Sequence, residues 1–366
     1  MITKEDILDI LKNVLDPDLH RDIVDLGFVK NIKICDGNVK FNLELTTPAC
    51  PIKDVMKDEC VKLVKTLPDV KNVNVVLTSN VRSTTTYNYD TMNNVQHVIA
   101  VGSGKGGVGK STISVNLALA LLSAGAKVGI LDADVYGPSQ GMMLGVNIHS
   151  PNVHNNRMVP ETAHGLKMIS VSLLSPPDRP LILRGPMIAG IIQQFLGQVE
   201  WGALDYLIID LPPGTGDIQL TLCQKIKLTG AVIVTTPQDV ALLDARKCLR
   251  MFQELNVPIV GIIENMSSFI CDGCGKEHHI FRTGGGKKAA LTLGVPFLGG
   301  IPLDSALPPG GDDGTPFLVE YPHSKTAQSF KDVAGLFAQQ VSILNNLSGD
   351  LLLDYKLNWD DMEPEL

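Results

Sequence analysis

The sequence predicts two units: a small α+β domain, then a larger α/β domain whose mostly parallel sheet is covered by helices on both faces. Three observations predict this. The length of 366 residues exceeds one typical domain. Residues 1–80 carry helix and strand patterns in the order α-β-β-α-β. From His97 onward, short apolar runs alternate with helical stretches, as in strands buried on both faces.

In the first unit, Lys4 to Leu15 has helical periodicity, and "VKNIKI" and "NVKFNLEL" alternate as strands. The "CDGN" between them signals a hairpin through Asp36 and Gly37. A second helical pattern, Ile52 to Leu67, precedes the strand-like "VKNVNVVLT". The polar stretch from Ser79 to Gln96 has no periodicity and reads as a linker, assigned to residues 81–96.

The second unit, residues 97–348, opens on the strand "HVIAVGS". "KVGILDAD", "LDYLIIDLPP", "GAVIVTTP", "VPIVGIIEN" and "VPFLGGIPLD" are further buried-strand patterns. Helices are expected over Ser111–Ala124, Ala189–Val199, Val240–Leu255, Gly286–Leu293 and Lys325–Leu347. An acidic tail, residues 349–366, is expected to be partly disordered.

A net charge of −8 and a pI near 5.5 argue against a general nucleic-acid binder. No apolar run approaches the roughly 18 residues of a membrane span, and the tail lacks the basic face of a membrane anchor. The N-terminus has no signal-peptide core. The cysteines at 35, 50, 60, 223, 248, 271 and 274 are an odd, scattered set, so the expectation is a reduced, cytoplasmic protein.

The clearest chemistry lies in "VGSGKGGVGKST". Gly104 to Ser111 satisfies G-x-x-x-x-G-K-[ST] between a strand and a helix, the setting of a phosphate-binding P-loop. Gly104, Gly106, Gly107 and Gly109 let backbone amides, including that of Val108, curl round phosphate oxygens without Cβ clashes. The helix starting near Lys110 adds its dipole through Ser111 and Thr112. Lys110 is expected on the β/γ-phosphates and the Ser111 hydroxyl on Mg²⁺. A bound nucleotide, ATP, is therefore expected.

Three carboxylates suit that site. Asp132 and Asp134 follow the second strand, and Asp210 ends a buried apolar strand. The C-terminal sheet edge is where Mg²⁺ and attacking water belong. Asp210 is assigned to Mg²⁺ through water, Asp134 to orienting the attacking water, and Asp132 to support; Asp132 and Asp134 could exchange roles. "PPGTGD", Pro212 to Asp217, reads as a switch loop with glycine hinges.

Lys105 gives the motif the form K-G-G-V-G-K-S, which resembles the deviant Walker A of MinD/ParA-like ATPases. The resemblance implies that Lys105 reaches the phosphates of a facing subunit in a dimer, and that Asn265, in "IIENMS", contacts adenine. Read as a residue alone, Asn265 also suits a turn or cap. "GSGKGGVGKST", "DADVYGPS", "RGPM", "WGALDYLIIDLPPGTGD", "ENMS", "CDGCG", "IFRTGGG" and "GDDGTPF" occur in the order found in Mrp/ApbC-type iron–sulfur cluster carrier ATPases. The match spans about Val98 to Glu320. The first unit, through "LDPDL", "IVDLGFV" and "LTTPACP", resembles the small iron–sulfur-assembly domain often fused to these carriers. This implies that Cys50 contacts a cluster or a target thiol; a small side chain packing a loop is the plainer reading.

Cys271 and Cys274 form a glycine-flanked C-x-x-C. A redox dithiol, a zinc finger completed by His278 or His279, and a zinc knuckle shared between chains all compete. Across a twofold axis, two such pairs supply four thiolates, the ligand count of a [4Fe–4S] cluster. The expectation is a homodimeric ATPase that carries a labile cluster from a donor or scaffold to apo-protein acceptors. The alternatives are a MinD/ParA-like partner-binding switch, with zinc or no metal at the cysteines, and a metabolic enzyme that activates a small substrate with ATP.

Overall fold

The computed structural model describes the whole chain except residues 1, 84, 86, 147–149, 151, 175–184, 272 and 348–366. The expected acidic tail and Arg184 of "RGPM" therefore lie outside the described residues.

The N-terminal unit comprises α1 (Lys4–Leu11), β1 (Val29–Cys35), β2 (Asn38–Leu45), α2 (Lys53–Val64) and β3 (Asn72–Ser79). A capping box starts α1: Asp6 N donates to Thr3 Oγ1, and Thr3 N donates to Asp6 Oδ2. The helix stops short of the expected Leu15, because Asn13 Nδ2 turns back onto Ile10 O and Leu15–Asp16 pairs with Arg21–Asp22. Asp16 Oδ1 then accepts the Asp18 and Leu19 amides and fixes the "DPDL" turn. The β1–β2 hairpin turns through Asp36 (φ 48°) and Gly37 (φ 82°), as a two-residue loop requires. A Cβ on Gly37 would sit 2.5 Å from Asp69 O. β2 pairs β1 antiparallel and β3 parallel, and both helices pack their apolar residues, Ile7, Leu11, Met56, Cys60 and Val64, on this sheet.

The larger unit contains β4 (Val95–Gly102), α3 (Lys110–Ser123), β5 (Val128–Asp132), β6 (Glu161–Ala163), β7 (Leu166–Ser170), α4 (Gly185–Gln198), β8 (Leu204–Asp210) and α5 (Asp217–Lys225). It continues with β9 (Gly230–Thr235), α6 (Asp239–Glu254), β10 (Ile259–Ile270), β11 (Glu277–His278), α7 (Gly285–Thr292), β12 (Phe297–Leu303) and α8 (Lys325–Leu347). Among the described residues, nine strands form one sheet in the order β6-β7-β5-β8-β4-β9-β10-β11, with β12 also paired to β10. Neighbours are parallel except β6–β7 and β10–β11 at the margins. One core joins α3 and α8 to one face; the other joins α4, α6 and α7 to the opposite face. This two-sided burial accounts for the near-continuous apolar runs of the central strands.

The polar segment before β4 is docked on the larger unit. Tyr87 Oη lies 3.3 Å from Thr229 Oγ1, Thr91 Oγ1 donates to Leu196 O, and Met92 is buried. Gly197 leaves room for the Tyr89 ring, which a Cβ would meet at 2.9 Å.

Candidate functional site: a phosphate loop and a cysteine hairpin

β4, β5 and β8 end side by side at Gly102, Asp132 and Asp210, and the loop from Ser103 to Gly109 leads from β4 into α3. Gly107 and Gly109 both have φ of 80°, the left-handed region that glycine tolerates. Gly104 must be glycine for a different reason: a Cβ would lie 2.1 Å from the Asp244 carbonyl of α6. The loop, Ser111, Thr112, Asp134 and Pro213 line a cleft of about 220 Å³. Lys105 is exposed beside it, and Val108 is buried beneath it.

Lys110 is 6% exposed. Its Nζ lies 2.7 Å from Asp210 Oδ1 and 3.5 Å from Asp134 Oδ2, with Ser111 Oγ at 3.3 Å. Asp210 is wholly buried and also accepts Ser114 Oγ at 2.9 Å and Gln140 Nε2 at 2.8 Å. Asp132, equally buried, accepts Ser170 Oγ, Gln140 N and Asp134 N. Burial, then the charge of Asp210, pushes the Asp132 carboxyl up to about 7. Burial also raises the Asp134 carboxyl, against the pull of Lys110. Asp134 lines the cleft and holds the Tyr136 and Gly137 amides, each at 3.3 Å. The structure thus brings Lys110, Ser111, Asp134 and Asp210 together, with Asp132 behind them. The Ser111 hydroxyl and the carboxylates of Asp134 and Asp210 are hard oxygen donors of the kind magnesium takes.

Asn265 lies under the loop. Its Nδ2 donates to Val108 O at 2.8 Å, and a Cβ on Gly109 would come within 2.2 Å of that nitrogen. Its amide therefore braces the loop. Gly214 of "PPGTGD" donates its amide to Ser103 O, and Gln219 clamps the Pro212 and Pro213 carbonyls.

Three contributors have no motif signal. Gln140, wholly buried, joins Asp210, the Ser111 carbonyl and, through its amide, Asp132. Ser114 is a serine among apolar helix residues. Glu264 accepts the Gly284 and Gly286 amides at the start of α7. The only hint in the sequence is a polar residue where burial is expected.

The cysteines occupy a hairpin between β10 and β11. Cys271 N donates to Lys276 O, and Gly275 N donates to Cys271 O. Cys271 is half-buried and Cys274 exposed. His278 and His279 are exposed, and His279 Nδ1 lies 3.4 Å from Ser267 O. Among the described residues, no group of three or more His, Cys, Asp or Glu side chains could hold a metal. β10 carries Asn265, under the phosphate loop, and ends at Ile270 beside Cys271. Its register against β12 shifts between Asn265 and Phe269, and Met266 takes φ 56°. Arg282, beyond the hairpin, pairs with Asp239 at the start of α6, so the hairpin and the loop share that helix as a neighbour.

No helix among the described residues is long and apolar enough to cross a membrane. The family model for the NUBPL iron-transfer P-loop NTPase matches residues 94–338, and that for an iron–sulfur cluster assembly protein matches residues 4–75. An iron–sulfur cluster carrier protein of Synechocystis is 48% identical over 94% of this chain and 99% of its own length. A nucleotide-binding protein from Archaeoglobus fulgidus, solved in complex with ADP, is 39% identical over 66% of this chain and 94% of its own, with a TM-score of 0.58. The cell division ATPase MinD of Pyrococcus furiosus shares the fold at 23% identity over 66% of this chain and 97% of its own, with a TM-score of 0.51. With the loop, the sheet-edge carboxylates and the cysteine hairpin in place, the chain belongs to the family of iron–sulfur cluster carrier P-loop ATPases.

Proposed function

We propose that two copies of this chain face each other, bind and hydrolyse ATP, and hold one [4Fe–4S] cluster as cargo between their Cys271 and Cys274 pairs. The cluster then passes to apo-protein acceptors in the cytoplasm. One observation carries the reading: the strand whose Asn265 braces the phosphate loop runs on into the cysteine hairpin. Loop geometry and thiol geometry therefore share one element. The hairpin of one chain offers two thiolates where a cluster takes four, which supports a second copy as the source of the others. Val240 and Leu243 on α6, and Ile280 beyond the hairpin, are exposed apolar residues suited to meeting that copy.

In this reading Lys110 exchanges Asp210 for the β/γ-phosphates, and Lys105 of the facing copy adds a second positive charge. Asp134 orients a water for attack on the γ-phosphorus. The bond from that phosphorus to the β–γ bridging oxygen breaks, leaving ADP and phosphate. The Ser111 hydroxyl and, through water, Asp210 would hold magnesium, whose charge would offset that of the phosphates. With Nδ2 on Val108 O, base recognition by Asn265 falls to its Oδ1, which accepts from an N–H of the base. Cys50 serves as a secondary thiol for cluster or acceptor.

Anaerobic reconstitution with iron and sulfide tests this. About four irons and four sulfides per dimer are expected, and are lost in Cys271→Ala/Cys274→Ala. Tight zinc, or a cluster that survives the double substitution, would overturn the assignment.

A further inference from the structure

The loop that carries Cys50 is where the N-terminal unit meets the ATPase unit. Thr46 Oγ1 accepts Ser342 Oγ of α8 at 2.8 Å, and Thr47 Oγ1 accepts Tyr206 Oη of β8 at 3.1 Å. Ala49 joins the core formed by α3 and α8. Gly335 of α8 leaves room for Ala49 O and Pro51, which a Cβ would meet at 3.4 and 3.5 Å. Asp18 accepts Gln339 Nε2, also from α8. Cys50 is half-buried in a crevice of about 20 Å³, and Gln339 and Ser342 form part of its wall.

These bonds are hydroxyl–hydroxyl and amide–carboxylate contacts, which water can replace at small cost. The seam is also loosely filled. A second void, of about 230 Å³, lies beside His97 and Tyr206, and the buried His97 Nδ1 has no partner. Polar, incompletely filled interfaces between the domains of one chain are the kind that open at low cost.

We propose that docking of the Thr46–Pro51 loop on α8 is an autoinhibitory contact that shields the Cys50 thiol, and that undocking exposes it. The inference goes beyond cluster carriage and holds whatever Cys50 exchanges with. Two opposed influences on Cys50 make the contact effective. Burial is the largest and raises its pKa, and Asp18 and Asp16 add to it; the Ile52 amide and Lys53, at the start of α2, work the other way. Removing α8 weakens the burial, the largest of these, while Asp16 and Asp18 stay with the thiol in the N-terminal unit and the α2 N-terminus keeps its pull, so the thiol ionises more easily.

The chain carries its own controls. Cys35 is exposed and Cys60 fully buried in the same unit. Iodoacetamide forms an Sγ–C bond to each reacting thiolate and releases iodide, so per-cysteine rates are readable by peptide mass spectrometry. In the full-length protein, Cys50 is expected to react far more slowly than Cys35. Gly335→Leu places a branched side chain against Ala49 and Pro51 and favours the helix it sits in. It should speed Cys50 about tenfold through gained thiolate and access, with Cys35 unchanged and Cys60 still protected. Should Cys60 also become reactive in that variant, Gln339→Ala/Ser342→Ala decides, because it removes two bonds without a wedge. Cys50 as fast as Cys35 in the unaltered protein would overturn the proposal. So would an unchanged Cys50 rate in whichever variant keeps Cys60 protected.

Discussion

Gln140→Ala removes a side chain that touches both Asp210 and the carbonyl of Ser111. Its Nε2 lies 2.8 Å from Asp210 Oδ2, inside a region where both residues are wholly buried. A hydrogen bond to a charged group is worth about 1.5–3 kcal/mol. Lys110 and Ser114 hold only Oδ1, so after the substitution Oδ2 keeps its charge with no side-chain donor among those described. If that loss falls on the hydrolytic transition state, it corresponds to roughly a ten- to hundredfold lower kcat. Steady-state ATP turnover with magnesium, alongside thermal unfolding, separates the effects. The expected result is a reduced kcat with KM for ATP nearly unchanged. Gln140→Glu should be worse than alanine, since it turns an acceptor towards Asp210 and adds charge beside Asp132. A kcat within about twofold of the unaltered enzyme in both variants, with only the melting temperature lowered, would refute the positioning argument and leave Gln140 a packing residue.

Two other perturbations follow from the same geometry. Gly107→Ala and Gly109→Ala suffer similar backbone strain at φ 80°, about 1–2 kcal/mol each, but only position 109 has a neighbour at 2.2 Å. Calorimetric ADP binding should therefore fall further for Gly109→Ala, as Asn265 is pushed off Val108 O; equal losses would mean the brace contributes nothing. Burial pushes the His97 imidazole down to about 4, so the unfolded chain takes up the proton first. The stabilisation is complete above about pH 6.5 and is lost as pH falls towards 4, by about 2 kcal/mol at pH 5. The raised Asp132 carboxyl takes up a proton in the folded state over the same window and offsets this loss, so the signal is a difference. From pH 7 to pH 5, the unfolding free energy from urea titration should change about 2 kcal/mol more favourably in His97→Phe than in the unaltered protein, and equal changes would count against it.

The central fold was legible because its strands are buried on both faces and its helices on one, so their apolar periods differ. Where burial is slight, the signal fades. The short strands Asn152–His154 and Arg157–Val159 pair antiparallel with mostly exposed residues and carry no apolar alternation to detect. The opposite error occurs in α1, where Val14 is buried and continues the helical spacing although the backbone has already turned at Asn13. The segment from Ser79 to Gln96 reads as polar, yet Tyr87, Thr91 and Met92 suffice to fasten it. Composition averages over such anchors and hides them.

The motif residues were legible for a different reason: phosphate binding needs a contiguous run of backbone, so its signature is local in sequence. What holds that run in place is not local. Reading motifs gives Lys110 to phosphate and Asp210 to magnesium, but here they are each other's counter-ions, 2.7 Å apart. Opposite charges in a dry interior persist only when their remaining hydrogen-bonding capacity is also met. Electrostatics therefore requires partners such as Ser114 and Gln140 around Asp210 before any ligand arrives. Gln140 reaches it from 70 residues away along the chain. No spacing rule could have named that residue, because its role is set by the charge it faces and not by its neighbours in sequence.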